Sequence, residues 1–157
     1  MSGLHALRLL SALLLVVVAN VAPWAAARLL GGRYAWPLDC GATLSDGTRI
    51  LGSHKTWRGL LAGAFGCALT AGLLRESFLL GFWFGALSLV ADAVSSFAKR
   101  RLHLAPGTEV PGLDQLPEAL LPLLILSNPL GIGLLGAVLV AIVFLSLNLA
   151  SMRLRHT

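Results

Sequence analysis

Apolar residues in this chain fall into long blocks, each close to the roughly 20 residues that a helix needs to cross the hydrocarbon of a bilayer. The first, 9–27, is interrupted by Asn20 and Pro23. The second, 59–74, carries no charge and is short, but its Gly and Ala content suits close helix–helix contact. The third, 77–98, has Asp92 near its end. After Glu118 the stretch 119–152 contains no charge and as one helix would be about 51 Å long, too long for an ordinary crossing. Asn128-Pro129 and Gly131 supply a break, which predicts helices over 116–127 and 131–152, the former reaching only about 18 Å. The pattern predicts an all-α, polytopic membrane bundle of about five transmembrane helices in a single domain over 1–157, without internal repeats. Arg8 followed by an apolar run resembles a signal peptide, but the run is long for one and leads directly into a polar loop, so it reads as a retained first span.

Composition agrees. Hydrophobic residues make up 57% of the 157 and charged residues 12%, with mean hydropathy +0.83, which excludes a soluble enzyme, a disordered chain and a disulfide-rich secreted module. Cys40 and Cys67 form no metal-binding spacing, and Cys67 reads as a small packing residue. The pI near 10.3 follows from membrane topology rather than nucleic-acid binding. With loops 28–58 and 99–115 and the C-terminus on the cytoplasmic side, that side holds ten of the 12 bases, leaving only Arg8 and Arg75 outside. The positive-inside rule then predicts five spans with the N-terminus out and the C-terminus in.

The scarce polar groups cluster in those two loops. The first contains Asp39, Asp46-Gly47 and Gly52-x-x-Lys55-Thr56-x-Arg58-Gly59, the last opening a helix. Backbone N–H groups and the helix dipole at such a terminus suit phosphate, although the spacing is not that of a P-loop, and a plain basic loop at the headgroups would look the same. Further on, Asp92, Ser96 and Lys99 are spaced by four and three residues, hence on one helical face. An ionisable residue in a span is a functional candidate by default. A carboxylate, a hydroxyl and an ammonium together suit a divalent cation plus phosphate. Lys99-Arg100-Arg101 alone would be a topology anchor, and Asp114 alone a helix N-cap.

Taken in order, Pro37-x-Asp39-x-Gly41, Asp46-Gly47-x-Arg49-x-x-Gly52-x-x-Lys55-Thr56-x-Arg58-Gly59, Asp92-x-x-x-Ser96-Phe97-x-Lys99-Arg100-Arg101, Pro106-Gly107 and Leu113-Asp114-Gln115-Leu116 resemble the membrane cytidylyltransferases of the CDP-archaeol synthase type, distant relatives of phosphatidate cytidylyltransferase. The resemblance covers about 36–63 and 90–116. It implies a five-span enzyme of the cell membrane with a cytoplasmic site, condensing CTP with a membrane lipid phosphate to give CDP-lipid and pyrophosphate, with Mg2+ as cofactor. It makes Asp92, Asp114 and Lys99 candidate catalytic residues and Lys55, Thr56, Arg58, Ser96, Arg100 and Arg101 candidate substrate ligands. Asp39, Asp46, Asp92, Asp114 and Glu118 become candidate metal ligands. The sequence departs from the family pattern at Ala91, where Gly is usual, at His54, and at Pro117-Glu118, which follows Asp-Gln-Leu where a second Asp is normal. The departure at Pro117-Glu118 motivates one alternative, a diverged member that binds nucleotide or lipid phosphate without turnover; a second is a small transporter or structural membrane protein with basic anchors.

Overall fold

Five helices follow one another: α1 (Gly3–Leu30), α2 (Trp57–Leu73), α3 (Phe78–Arg101), α4 (Gln115–Ile125) and α5 (Gly133–Arg155). The structure, a computed structural model, describes residues 3–105, 108, 110 and 112–155, and from 152 onward the backbone alone. Pro106-Gly107 of the motif therefore lies outside the described residues. The fold class is the expected one, an all-α bundle. Among the described residues the only extended pairings are two isolated bridges in the first loop, Pro37 with Thr56 and Thr43 with Arg49.

By length and composition, α1, α3 and α5 can cross a membrane. The α2 helix, with 17 residues, reaches about 26 Å, and α4, with 11, about 17 Å. The helix boundaries differ from the hydropathy boundaries in two instructive places. First, α1 runs unbroken through both Asn20 and Pro23. The Asn20 side-chain amide donates to the Val16 carbonyl at 3.1 Å, one turn back, so it adds to the helix instead of interrupting it. Second, α3 continues through Lys99, Arg100 and Arg101 as its last turn, so the second loop begins at 102 rather than 99. Three bases also suit the negative end of the helix dipole. Hydropathy marks the part of a helix that belongs in lipid, while backbone hydrogen bonding carries on into the interface.

Small residues set the packing. Thr56 caps α2 by accepting from the Gly59 N–H, and Ser77 caps α3 by accepting from Leu80. Between these antiparallel helices, Gly81 and Gly85 of α3 lie against α2 backbone: a Cβ on Gly85 would sit 2.5 Å from the Gly63 carbonyl oxygen, and one on Gly81 2.4 Å from that of Cys67. This is the small-xxx-small contact by which membrane helices approach closely. Cys67 is fully buried there, as its sequence context implies. The shared core contains Leu15, Val16, Phe84, Leu123 and Phe144, and α4 packs against both α3 and α5. The outward faces carry Leu, Val, Ile and aromatic side chains, for instance Leu69, Leu79, Trp83, Val94 and Ile142. In lipid, burying apolar area drives little association, so close contact and polar satisfaction hold the bundle.

Candidate active site

Polar side chains from α1, α3, α4 and α5 and from the end of the first loop converge on one cavity of about 750 Å³ at the end of the bundle where α1 finishes and α4 begins. Its size is typical of a small-molecule site. Lys55, one residue before the α2 cap, reaches Asp92 on α3, Nζ to Oδ2 2.5 Å. One and two turns further along the same face of α3, Ser96 and Lys99 also line the cavity. Lys99 pairs with Asp114 at 2.7 Å and donates to the Thr108 carbonyl at 3.0 Å. Arg100 is buried, donates to the Ala105 carbonyl at 2.9 Å, and leaves its Nε without a hydrogen-bond partner among the described residues. Glu118 lies one turn beyond Asp114 on α4 and is buried in the cavity wall. Asp114 occupies the N-cap position of α4 but does not cap it: its Oδ2 accepts from the Val110 N–H, and its buried Oδ1 accepts no aligned hydrogen bond despite its nearness to Lys99.

The remaining sequence candidates stand outside this cavity, each occupied in holding the first loop. Asp39 is buried, accepts from the backbone N–H groups of Gly41, Leu51 and Gly52, and forms an ion pair with Arg49 at 2.5 Å. Burial alone would raise its carboxyl, but the Arg49 guanidinium and the three N–H groups outweigh that and hold it at about 2 instead of 3.8. Asp46 turns the loop tip: it accepts from the Thr48 backbone and hydroxyl, next to Gly47 at φ +75°, and pairs with Arg101 at 2.9 Å. The Thr48 hydrogen bonds hold its carboxyl below the ordinary value, with Arg101 and His103 adding to them. Thr56 is spent as the α2 cap. Arg58 donates to the carbonyls of Gly31 and Arg33, tying α2 to the end of α1. Arg101 reaches Thr48 and the Arg49 carbonyl besides Asp46. Of the five metal candidates, the structure thus gathers Asp92, Asp114 and Glu118 and leaves Asp39 and Asp46 as loop staples. Of the nine candidate catalytic and substrate residues, Lys55, Asp92, Ser96, Lys99, Arg100 and Asp114 share the cavity.

The cavity also recruits residues not singled out for chemistry from sequence: Asn20 and Arg28 of α1, His54, Gln115, and Asn148 of α5. The signal for Asn20 and Asn148 was a carboxamide inside an otherwise apolar span, which is costly unless it serves a partner. Arg28 looked like any other topology charge.

An apolar-surfaced helical bundle of this kind, with a charged cavity at one end, is an integral membrane protein. Over residues 6–155 the chain matches the family model for CarS-like CDP-archaeol synthases, and it belongs to that family. It is 42% identical over 99 residues to a CDP-archaeol synthase of Thermococcus gammatolerans, a match covering 56% of this chain and 57% of that protein. A CDP-archaeol synthase of Pyrococcus furiosus is 40% identical over 102 residues, covering 55% of this chain and 57% of its own length. The matched stretch thus spans little more than half the length of these relatives. A solved structure described as an intramembrane enzyme for archaeal membrane lipids biosynthesis shares the fold, with a TM-score of 0.67 and 33% identity over 90% of both chains.

Proposed function

We propose that the protein is a CTP-dependent cytidylyltransferase that converts a membrane lipid phosphate into a CDP-lipid of the archaeol or diacylglycerol type, releasing pyrophosphate. The observation that carries this reading is the cavity itself, in which two lysine–aspartate pairs, Lys55–Asp92 and Lys99–Asp114, flank Ser96 and the buried, partly unpartnered Arg100. Membership in the synthase family favours it over a transporter or scaffold. The departure at Pro117-Glu118 favours no loss of the site either, since Glu118 lies on the same side of α4 as Asp114 and lines the same cavity.

The chemistry asks little of a nucleophile. A lipid phosphate oxygen is already anionic, so no base has to deprotonate it. The new P–O bond forms to the α-phosphorus of CTP as the bond to the bridging α–β oxygen breaks, and pyrophosphate carries that electron pair away. The protein has to bring two polyanions together and stabilise the leaving group. Lys55, Lys99 and Arg100 supply the positive charge for the phosphates, and Ser96 a hydroxyl donor. Hard oxygen donors suit Mg2+, and the chain offers Asp92, Asp114 and Glu118, of which Asp92 and Asp114 are paired with Lys55 and Lys99. Among the described residues no three His, Cys, Asp or Glu side chains converge on one point; a Mg2+ site would need only one or two of these carboxylates. When bound, Mg2+ supplies charge neutralisation on the triphosphate. Lys55 and Lys99, paired here with Asp92 and Asp114, would be the ammonium groups facing the phosphates. The positive-inside bias supports a cytoplasmic position for this end of the bundle, which carries Arg33, Arg49 and Arg58, on the side where CTP is available.

The test is turnover of labelled CTP by the purified full chain against a panel of lipid phosphates. CDP-lipid is expected only with Mg2+, and Asp92→Asn is expected to lower turnover about 100-fold or more while the protein still inserts and purifies. Undiminished turnover in Asp92→Asn would remove Asp92 from the site, and a native chain that binds CTP but forms no product with any lipid would reject the reaction.

A further inference from the structure

The α1 and α5 helices make close contact at one end and border an opening at the other. Gly136 of α5 lies against α1, where an added Cβ would sit 2.9 Å from a Leu9 methyl. Further along the same pair, Val21 and Trp24 of α1 and Leu147 of α5 line the charged cavity and are still 49, 59 and 55% exposed. Side chains that border an interior cavity and are open to the outside mark its doorway. Its rim carries the apolar side chains of Val21, Trp24 and Leu147, with Asn148 and Ser151 of α5 beside them.

Its edge holds a cation. Four bases line the cavity: Arg28, Lys55, Lys99 and Arg100. Lys55 and Lys99 are paired with aspartates, and Arg100 bonds a carbonyl. Arg28 makes neither an ion pair nor a hydrogen bond among the described residues, and its guanidinium lies over the Trp24 ring, 4.8 Å from the centroid. Trp and Arg at the end of a span lie at headgroup depth, the tryptophan half in lipid and the arginine reaching for the phosphate layer. A cation there, stacked on an aromatic and open to both the bilayer and the cavity, complements a phosphate that arrives attached to lipid tails.

We propose that the lipid phosphate enters sideways between α1 and α5, its tails in the cleft bordered by Val21, Trp24 and Leu147 and its phosphate received by Arg28 on the way to the cavity. This rests on the cytidylyltransferase reading and names the route and receptor of its second substrate. CTP, with no tails, is left to the lysines on the α2 and α3 side.

Steady-state kinetics on the full chain in lipid nanodiscs test it. Arg28→Ala is expected to raise KM for the lipid phosphate about tenfold, as the loss of a charged hydrogen bond does, with kcat and the KM for CTP unchanged, and Arg28→Lys to recover part of the loss. Leu147→Trp, which fills the cleft, is expected to raise KM for a two-chain lipid phosphate but not for a short-chain soluble one. An Arg28→Ala variant that shifts the KM for CTP instead, or neither KM, overturns the proposal. A second readout needs no turnover. In a chain keeping Trp24 as its only tryptophan (Trp36, Trp57 and Trp83→Phe), bromine-tailed lipid phosphate should quench fluorescence more strongly than bromine-tailed phosphatidylcholine, and Arg28→Ala should abolish the preference. Preferential quenching without catalysis would reject the reaction and keep the doorway, whereas catalysis with equal quenching by both lipids would reject the doorway and keep the reaction.

Discussion

Asp39 organises the first loop from beneath. One carboxylate takes three backbone N–H groups and the Arg49 guanidinium, which fixes the run from Asp39 to Gly52 that delivers Lys55 to Asp92. Its carboxyl sits at about 2 in the folded protein against 3.8 unfolded. A depressed folded value contributes stability that is complete above about pH 4 and is lost as pH falls through about 2. Amide exchange at Leu51 and Gly52 should therefore stay slow down to about pH 4 and accelerate below it. Asp39→Asn should open the loop at neutral pH by about 2 kcal/mol, because Arg49 loses its charged partner. If exchange at these amides is the same in Asp39→Asn as in the native chain, the staple is not what orders the loop.

Between elements, the α2–α3 interface decides whether the site assembles, since α2 follows directly on Lys55 and α3 carries Asp92, Ser96, Lys99 and Arg100. Gly85 meets the Gly63 carbonyl with no room for a side chain, whereas Gly72, at the far end of α2, has nothing within 4 Å. Gly85→Leu should force the helices apart, costing about 3 kcal/mol or more by overpacking against backbone, and should weaken the Lys55–Asp92 pair with it. Gly72→Leu should leave the thermal midpoint in detergent nearly unchanged. Equal midpoints for the two variants would show that close α2–α3 approach is not required.

For the whole molecule, the proposed orientation can be read with a residue the chain already carries. Cys40 is exposed in the first loop and Cys67 is fully buried. A membrane-impermeant maleimide should label the native protein in inverted vesicles and leave it unlabelled in right-side-out cells, and Cys40→Ser should abolish the signal. Labelling from outside intact cells would reverse the topology and place the charged cavity away from CTP.

Hydropathy and helical period are local properties, so the sequence alone determined five helices, their order, residence in the membrane and the shared face of Asp92, Ser96 and Lys99. The break at Asn128–Gly131 was legible for the same reason, and so was the tight packing of the glycine-rich second helix. The function of a charge is not local. Four aspartates in similar polar surroundings divide into two that hold a loop and two that face a cavity, because Asp39 and Asp46 lie opposite Arg49 and Arg101, while Asp92 and Asp114 lie opposite Lys55 and Lys99. Only the packing of α1 and α5 against the rest turned Asn20, Arg28 and Asn148 from incidental polar residues into cavity wall. Which partner stands across from a side chain depends on how distant segments meet, and that geometry belongs to the tertiary structure.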